Sequence, residues 1–171
     1  MIRPVRQSDA AQIAAIYNHY VATSTISFEE EPVSEQEMAR RIGDVSATFP
    51  WYVEVDGADD VNAHNQRVVG YAYATAWKPR SAYRFSVEST VYLDPACRAR
   101  GVGGRLYAAL LAALRERGVH LVLAGIALPN AASIALHERC GFVKVAHLQQ
   151  VGRKFDDWVD VGYWQLLLSG A

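Results

Sequence analysis

Apolar positions recur along the chain at spacings that change from block to block, and the changes mark out its elements. Residues 2–5 read as a short strand. Ser8 then stands as an N-cap, and Ile13, Ile16, Tyr17 and Tyr20 fall on one side of the helix it would open. Ser34 with Glu37 spells a capping box, predicting a second helix through Arg41. Between the two, residues 23–32 are polar, β-branched and irregular, which suits a loop that touches ligand. Residues 51–55, 68–77 and 84–93 are rich in β-branched and aromatic side chains and predict an antiparallel meander. Leu106, Ala109, Leu110, Ala113 and Leu114 recur as one buried helix face requires, predicting a helix over 101–117 that Gly118 ends. A strand over 121–126, a short helix over 131–139 and strands over 142–151 and 159–168 complete the order. The pattern predicts a mixed α/β (α+β) fold in which helices are inserted into a largely antiparallel sheet.

Length and composition narrow the class. The 171 residues, 51% apolar and 20% charged, suit one domain spanning 1–171 and exclude a disordered chain. A net charge of −1 lacks the basic excess that nucleic acid demands. Fourteen of the seventeen cations are arginine, the side chain whose planar fork takes carboxylate or phosphate. Two cysteines cannot build a disulfide framework, and the first residues lack the apolar stretch of a signal peptide, so a reducing cytoplasm is the expected compartment. The longest uncharged run, 118–136, is cut by Pro129-Asn130 and reads as strand, turn and helix, with no membrane span. Residues 56–66 are a polar loop joining two strands, with no function assigned.

The sharpest local signal is Arg98-Ala99-Arg100-Gly101-Val102-Gly103-Gly104-Arg105, between a predicted strand and an amphipathic helix. Glycines there let backbone N–H groups converge on an anion at the positive end of a helix, and arginines add charged contacts, so a pyrophosphate would fit. Glycine spacing alone also fits a turn that merely reverses the chain. The run is neither a Walker loop, which needs Gly-Lys-Ser/Thr, nor a dinucleotide fingerprint, which needs an acid about 20 residues on. Across the short turn before the loop's strand, Lys78 and Arg80 face Tyr83 and Arg84 in sequence, and their charges would suit an acceptor with two anionic ends. A solvated turn is the other reading. Cys140 reads as a buried filler and Cys97 as exposed and incidental, while His19 and Tyr20 read as structural. His64 and His120 have no partner pattern, so no metal site is expected.

These residues resemble the GNAT N-acetyltransferases. The family's acetyl-CoA loop, Q/R-x-x-G-x-G/A, reads here as Arg98-x-x-Gly101-x-Gly103, and its second block reads as Asn130-Ala131-Ala132-Ser133-Ile134-Ala135-Leu136-His137-Glu138-Arg139-Cys140-Gly141-Phe142. Asn18-His19-Tyr20, Trp77-Lys78-Pro79-Arg80, Val87-Glu88-Ser89-Thr90-Val91-Tyr92 and Asp160-Val161-Gly162-Tyr163-Trp164 are similar to the phosphinothricin, methionine sulfoximine and arsinothricin acetyltransferase branch. Segments 26–31, 82–86 and 151–155 look closer to the arsinothricin and methionine sulfoximine enzymes. The resemblance runs from about Ile2 to Leu168.

The resemblance implies a mixed, mostly antiparallel sheet of about seven strands with about four helices, and acetyl transfer from acetyl-CoA to the α-amino group of a small anionic amino acid. Glu88, in an apolar strand that would raise its pKa, is implied as the base, and His137 as the acid for the departing thiolate. Val91, Tyr92 and Leu93 are implied as the cradle for the pantetheine arm. Arg98, Arg100, Gly101, Val102, Gly103, Gly104 and Arg105 are implied for the pyrophosphate. Asn130 and Ser133 would bond the CoA arm or serve only as caps of their own helix. Phe28 would wall the acceptor pocket with Lys78, Arg80, Tyr83 and Arg84, either in its own subunit or across a homodimer. The apolar end from Trp164 to Leu168 is expected to help form that interface. A GNAT acting on protein N-termini or lysines, and a non-catalytic acyl-CoA sensor, are the alternatives.

Overall fold

The computed structural model describes residues 1–56 and 66–168, so most of the 56–66 loop, with His64, lies outside the described residues. Seven strands form one sheet: β1 (Ile2–Pro4), β2 (Trp51–Asp56), β3 (Arg67–Ala76), β4 (Ser86–Leu93), β5 (Leu121–Leu128), β6 (Val143–Lys154) and β7 (Asp157–Leu167), in the order β1-β2-β3-β4-β5-β7-β6. Every pairing is antiparallel except β4 with β5. Four α-helices accompany it: α1 (Ala10–Thr23), α2 (Glu35–Ser46), α3 (Val102–Glu116) and α4 (Ala131–Arg139). Among the described residues no helix is long and apolar enough to cross a membrane.

Local chemistry moves several predicted boundaries. A 3-10 turn at Gln7–Asp9 precedes α1, and the residue that organises its start is Asp9, not Ser8. The Asp9 carboxylate accepts from the Arg6 N–H at 2.7 Å and takes both guanidinium nitrogens of Arg3 at 2.8 Å. At α2, Ser34 Oγ accepts from the Glu37 N–H at 3.1 Å, but the Glu37 carboxylate turns to Arg40 and Arg41, so only half of the expected box forms. β4 starts at Ser86 because Ser81–Tyr83 coil into another 3-10 turn, leaving Arg84 outside the strand. Register shifts near Ala146 and between Leu148 and Gly152 let β6 run on to Lys154.

Two apolar clusters hold the layers. Under α3, Leu106, Tyr107, Leu110 and Leu114 are wholly buried against Val87, Val122, Phe142 and Trp164. Under α1 and α2, Ile13, Ile16, Tyr20, Met38 and Ile42 meet Trp51, Val53 and Tyr71. Each such side chain contributes about 1.5–3 kcal/mol on burial. Cys97, expected at the surface, is 1% exposed within the first cluster. Of the apolar end expected at an interface, Trp164 and Leu168 are core, at 1% and 2%, whereas Leu167 is 55% exposed.

Candidate active site

The site begins where the sheet comes apart. β4 and β5 pair only at Ser86↔Leu121, Val87↔Val122 and Glu88↔Leu123. Beyond Glu88 the strands part, and Ser89 Oγ donates to the Leu123 carbonyl at 3.1 Å at the fork. The opening is a cavity of about 110 Å³ walled by Glu88 to Tyr92 of β4, Gly125 to Ala127 of β5, Asn130, Ser133 and His137 around α4, Tyr107 of α3, and Ile26 from the segment after α1. Of the residues singled out in the sequence, Glu88, Val91, Tyr92, Asn130, Ser133 and His137 meet here. Ile26 comes from the 23–32 loop marked in the sequence for ligand contact, whereas Ser89, Thr90, Tyr107 and the β5 residues were given no site role from the sequence.

Glu88 is half-buried, and burial raises its pKa above the usual carboxylate range, an effect that the charge of Lys78 opposes. Its carboxylate accepts no hydrogen bond among the described residues and is not paired with an arginine, so it is not a structural ion-pair carboxylate. Room for it depends on Gly125, where a Cβ would stand 3.2 Å from Glu88 Oε1 and 3.3 Å from the Tyr163 ring.

His137 is 3% exposed, and both ring nitrogens are engaged. Nδ1 lies 2.7 Å from the Ser133 carbonyl, which can only accept, so Nδ1 carries the proton. Burial lowers the His137 pKa and keeps the ring neutral, leaving Nε2 as an acceptor. The Tyr107 hydroxyl, 2.6 Å away, therefore donates to Nε2. Tyr107 in turn lies 3.1 Å from Ser89 Oγ, and burial raises its pKa, so the phenol stays protonated. The geometry thus differs from the expectation drawn for His137 alone: the proton shared between the two side chains sits on Tyr107. A tyrosine on the buried face of α3 was the available signal, since a buried hydroxyl needs a polar partner. Cys140 is half-buried, and burial raises its pKa, which keeps it a thiol.

The glycine loop opens α3. Gly101 holds φ at +75°, and Ala99 adopts a left-handed φ of +61°. The first intrahelical bond runs from the Arg105 N–H to the Gly101 carbonyl at 3.2 Å, so the amides of Val102, Gly103 and Gly104 precede the helical ladder and no side chain caps them. A Cβ at Gly104 would meet nothing within 4 Å, whereas one at Gly103 would strike Leu136 of α4 at 2.8 Å. The open amides at the positive end of a helix fit a pyrophosphate, and Gly103 also lets α3 and α4 close together. Arg98 lies over the Tyr20 ring at 5.4 Å. Tyr20 OH also donates to the Leu93 carbonyl at 2.6 Å, beside the loop. Arg105 differs from expectation: its guanidinium is bound to the nearly buried Glu54, with Nη2 at 2.5 Å from Oε1. It lines, with Glu54, Cys97, Arg100 and Val102, a second cavity of about 290 Å³. The Asn130 side chain accepts from the Ser133 N–H at 3.1 Å, so it caps α4 as well as lining the first cavity.

The expected acceptor cluster does not line the cavity, and of its members only Lys78 acts on a cavity residue, through its charge on Glu88. Lys78, Arg80, Tyr83 and Arg84 are all exposed. Lys78 Nζ lies over the Trp77 ring at 4.8 Å, and the Arg84 guanidinium lies over Phe85 and donates to the Ser81 carbonyl. Among the described residues Lys78 and Arg80 make no ion pair. Phe28 is 42% exposed and rests on Gly152 of its own chain, outside the cavity wall. No group of His, Cys, Asp and Glu able to hold a metal occurs among the described residues.

Comparison with known proteins places this architecture. The acetyltransferase (GNAT) domain family matches over residues 2–162. The chain is 40% identical over 165 residues to phosphinothricin N-acetyltransferase of Streptomyces viridochromogenes, covering 96% of this chain and 85% of that protein. It is 37% identical over 172 residues to the L-methionine sulfoximine/L-methionine sulfone acetyltransferase of Pseudomonas aeruginosa, covering 98% and 94%. The crystal structure of a Sinorhizobium meliloti GNAT superfamily phosphinothricin acetyltransferase in complex with AcCoA superposes with a TM-score of 0.91 at 33% identity, covering 100% of this chain and 90% of that one. With its seven-stranded mixed sheet parted at one point and a glycine loop opening the following helix, the chain belongs to the GNAT family of acetyl-CoA-dependent N-acetyltransferases.

Proposed function

We propose that the protein, acting as a single domain, transfers acetyl from acetyl-CoA to the α-amino group of a small anionic amino acid of the phosphinothricin, methionine sulfoximine or arsinothricin type. The observation that carries this reading is the cavity itself, where the unpaired carboxylate of Glu88 and the Tyr107–His137 pair border one opening between parted strands. Acetyl-CoA supplies the activated acyl group when bound. Glu88, with its raised pKa, takes the proton of the acceptor amine, directly or through water. Tyr107 OH, turning from His137 Nε2, gives its proton to the departing thiolate, and the phenolate regains one from solvent. The amides of 102–104 bind the pyrophosphate with Arg98 and Arg100, the edge of β4 from Val91 to Leu93 takes the pantetheine arm, and Asn130 and Ser133 border it. The unpaired cations Lys78 and Arg80, with Tyr83 and Arg84 beside them in sequence, hold the acceptor's anionic groups.

The two free cysteines suit a reducing cytoplasm, and the reading involves no metal, nucleic acid or membrane. We further propose a homodimer formed through β6, the edge strand of the sheet. Val143, Val145, Leu148 and Val151 of β6 are 59%, 47%, 41% and 52% exposed, an apolar edge that a second copy would cover.

Thiol release from acetyl-CoA with a panel of acceptors tests the function. Turnover of phosphinothricin, methionine sulfoximine, methionine sulfone or arsinothricin, with spermidine rejected by like charge, is the expected result. Preference for peptide N-termini or lysine would replace the substrate class, and no turnover of any amine would leave an acyl-CoA-binding domain.

A further inference from the structure

Ile26 reaches the cavity wall from the segment joining α1 to α2, so whatever fixes that segment sets the wall. Ser27 is its anchor, 4% exposed although polar. The Ser27 hydroxyl lies 2.7 Å from Tyr17 OH of α1 and accepts the Glu29 N–H at 3.2 Å, while Arg41 of α2 grips the Glu29 carboxylate. The Ser27 carbonyl accepts from Lys154 Nζ of β6 at 2.7 Å. Two residues earlier on the same face of β6, Gly152 receives the Phe28 ring, so closely that a Cβ there would lie 2.4 Å from it.

Lys154 is the unusual member of this set. It is 1% exposed, and its ammonium has the Ser27 carbonyl as hydrogen-bond partner and the Phe155 ring face at 5.0 Å, with Glu29 and Glu30 supplying attraction from further off. Burying an ammonium is costly, and an apolar side chain of similar length would fill the space without that cost. What an apolar side chain would not do is fix the Ser27 carbonyl at one point.

We propose that Lys154 is a positioning residue for the acceptor: by holding the Ser27 carbonyl, with Gly152 seating Phe28, β6 sets where Ile26 stands in the cavity wall. The role rests on the acetyl-transfer reading and adds to it a determinant of acceptor fit that lies outside the cavity. Among the described residues no hydrogen bond or ion pair joins this anchor to residues 98–105, and it meets the pantetheine edge through Tyr92, whose ring lies 5.2 Å from that of Tyr17, so acceptor fit is the property most exposed to its loss.

The test is steady-state kinetics of full-length Lys154→Met and Gly152→Ala with L-methionine sulfone and acetyl-CoA varied in turn, alongside amide hydrogen exchange of residues 24–34. The expected result is an acceptor KM raised about tenfold, an acetyl-CoA KM changed less than about twofold, and faster exchange confined to that segment. Equal changes in both KM values, or unaltered exchange, would overturn the proposal. If wild type acetylates no amino acid, the functional reading fails by itself, and the exchange experiment still decides whether Lys154 anchors the segment. Should Lys154→Met not fold, Lys154→Gln with Gly152→Ala carries both readouts.

Discussion

A neutral imidazole held between a carbonyl and a phenol cannot deliver a proton from Nε2, and on the proposed reading that leaves Tyr107 as the acid. Tyr107→Phe removes the hydroxyl and leaves the ring, so kcat should fall by roughly 10²-fold with little change in acetyl-CoA KM, which initial rates would show. An unaltered kcat would return Tyr107 to packing. For Glu88, burial raises the pKa, so the base is lost as pH falls through a value above the usual carboxylate range, and kcat/KM should show an acidic limb there. Glu88→Gln should lower kcat by about 10²–10⁴-fold and abolish that limb, as a pH profile would report. Glu88, Asn130, Ser133 and His137 were legible in the sequence because each sits in a motif of local spacing. Tyr107 was not, since its hydroxyl acquires meaning only through His137, 30 residues away, and Ser89, 18 residues away.

Elements were legible where one local signal decided them. The β-branched and aromatic runs of β2 to β4 and the apolar face of α3 were read to within a residue or two of the observed bounds, because local composition decides them. Boundaries slipped where a distant partner intervenes: Asp9 displaces Ser8 at α1 because Arg3 of β1 engages it, and β6 outruns its predicted end because Lys154 is drawn under the segment after α1. The glycine loop shows a conflict inside one element. Ala99 is held at φ +61°, a conformation that costs an L residue about 1–2 kcal/mol and glycine nothing. Ala99→Gly should therefore stabilise the protein by about 1 kcal/mol net of chain entropy and raise Tm by about 2–4 °C in the absence of ligand. A lower Tm by calorimetry would mean that the surrounding arginines, not the backbone, set the loop's shape.

At the scale of the molecule, the exposed apolar edge of β6 asks for a partner. Val145→Lys with Val151→Lys would place cations on both of its ends, so the double variant should sediment as a monomer at concentrations where wild type is a dimer. A wild-type monomer at those concentrations would remove the dimer from the proposal.

The parting of β4 from β5 reaches beyond catalysis. Strands β1 to β4 come from residues 2–93 and the other three from 121–167, so every antiparallel ladder closes within one of the two stretches, and only three parallel register pairs join them. In its ladders the sheet is joined at one end only, and the apolar cluster under α3 spans the joint. Native-state hydrogen exchange should resolve the amides of β5, β7 and β6 into one opening group and those of β2, β3 and β4 into another. Acetyl-CoA, bound across the gap, should draw the two isotherms together, because a ligand that needs both units in place makes each depend on the other. The gap proposed to admit the substrate is thus also the seam along which the molecule would first come undone, and a ligand filling it would tie the two sides together.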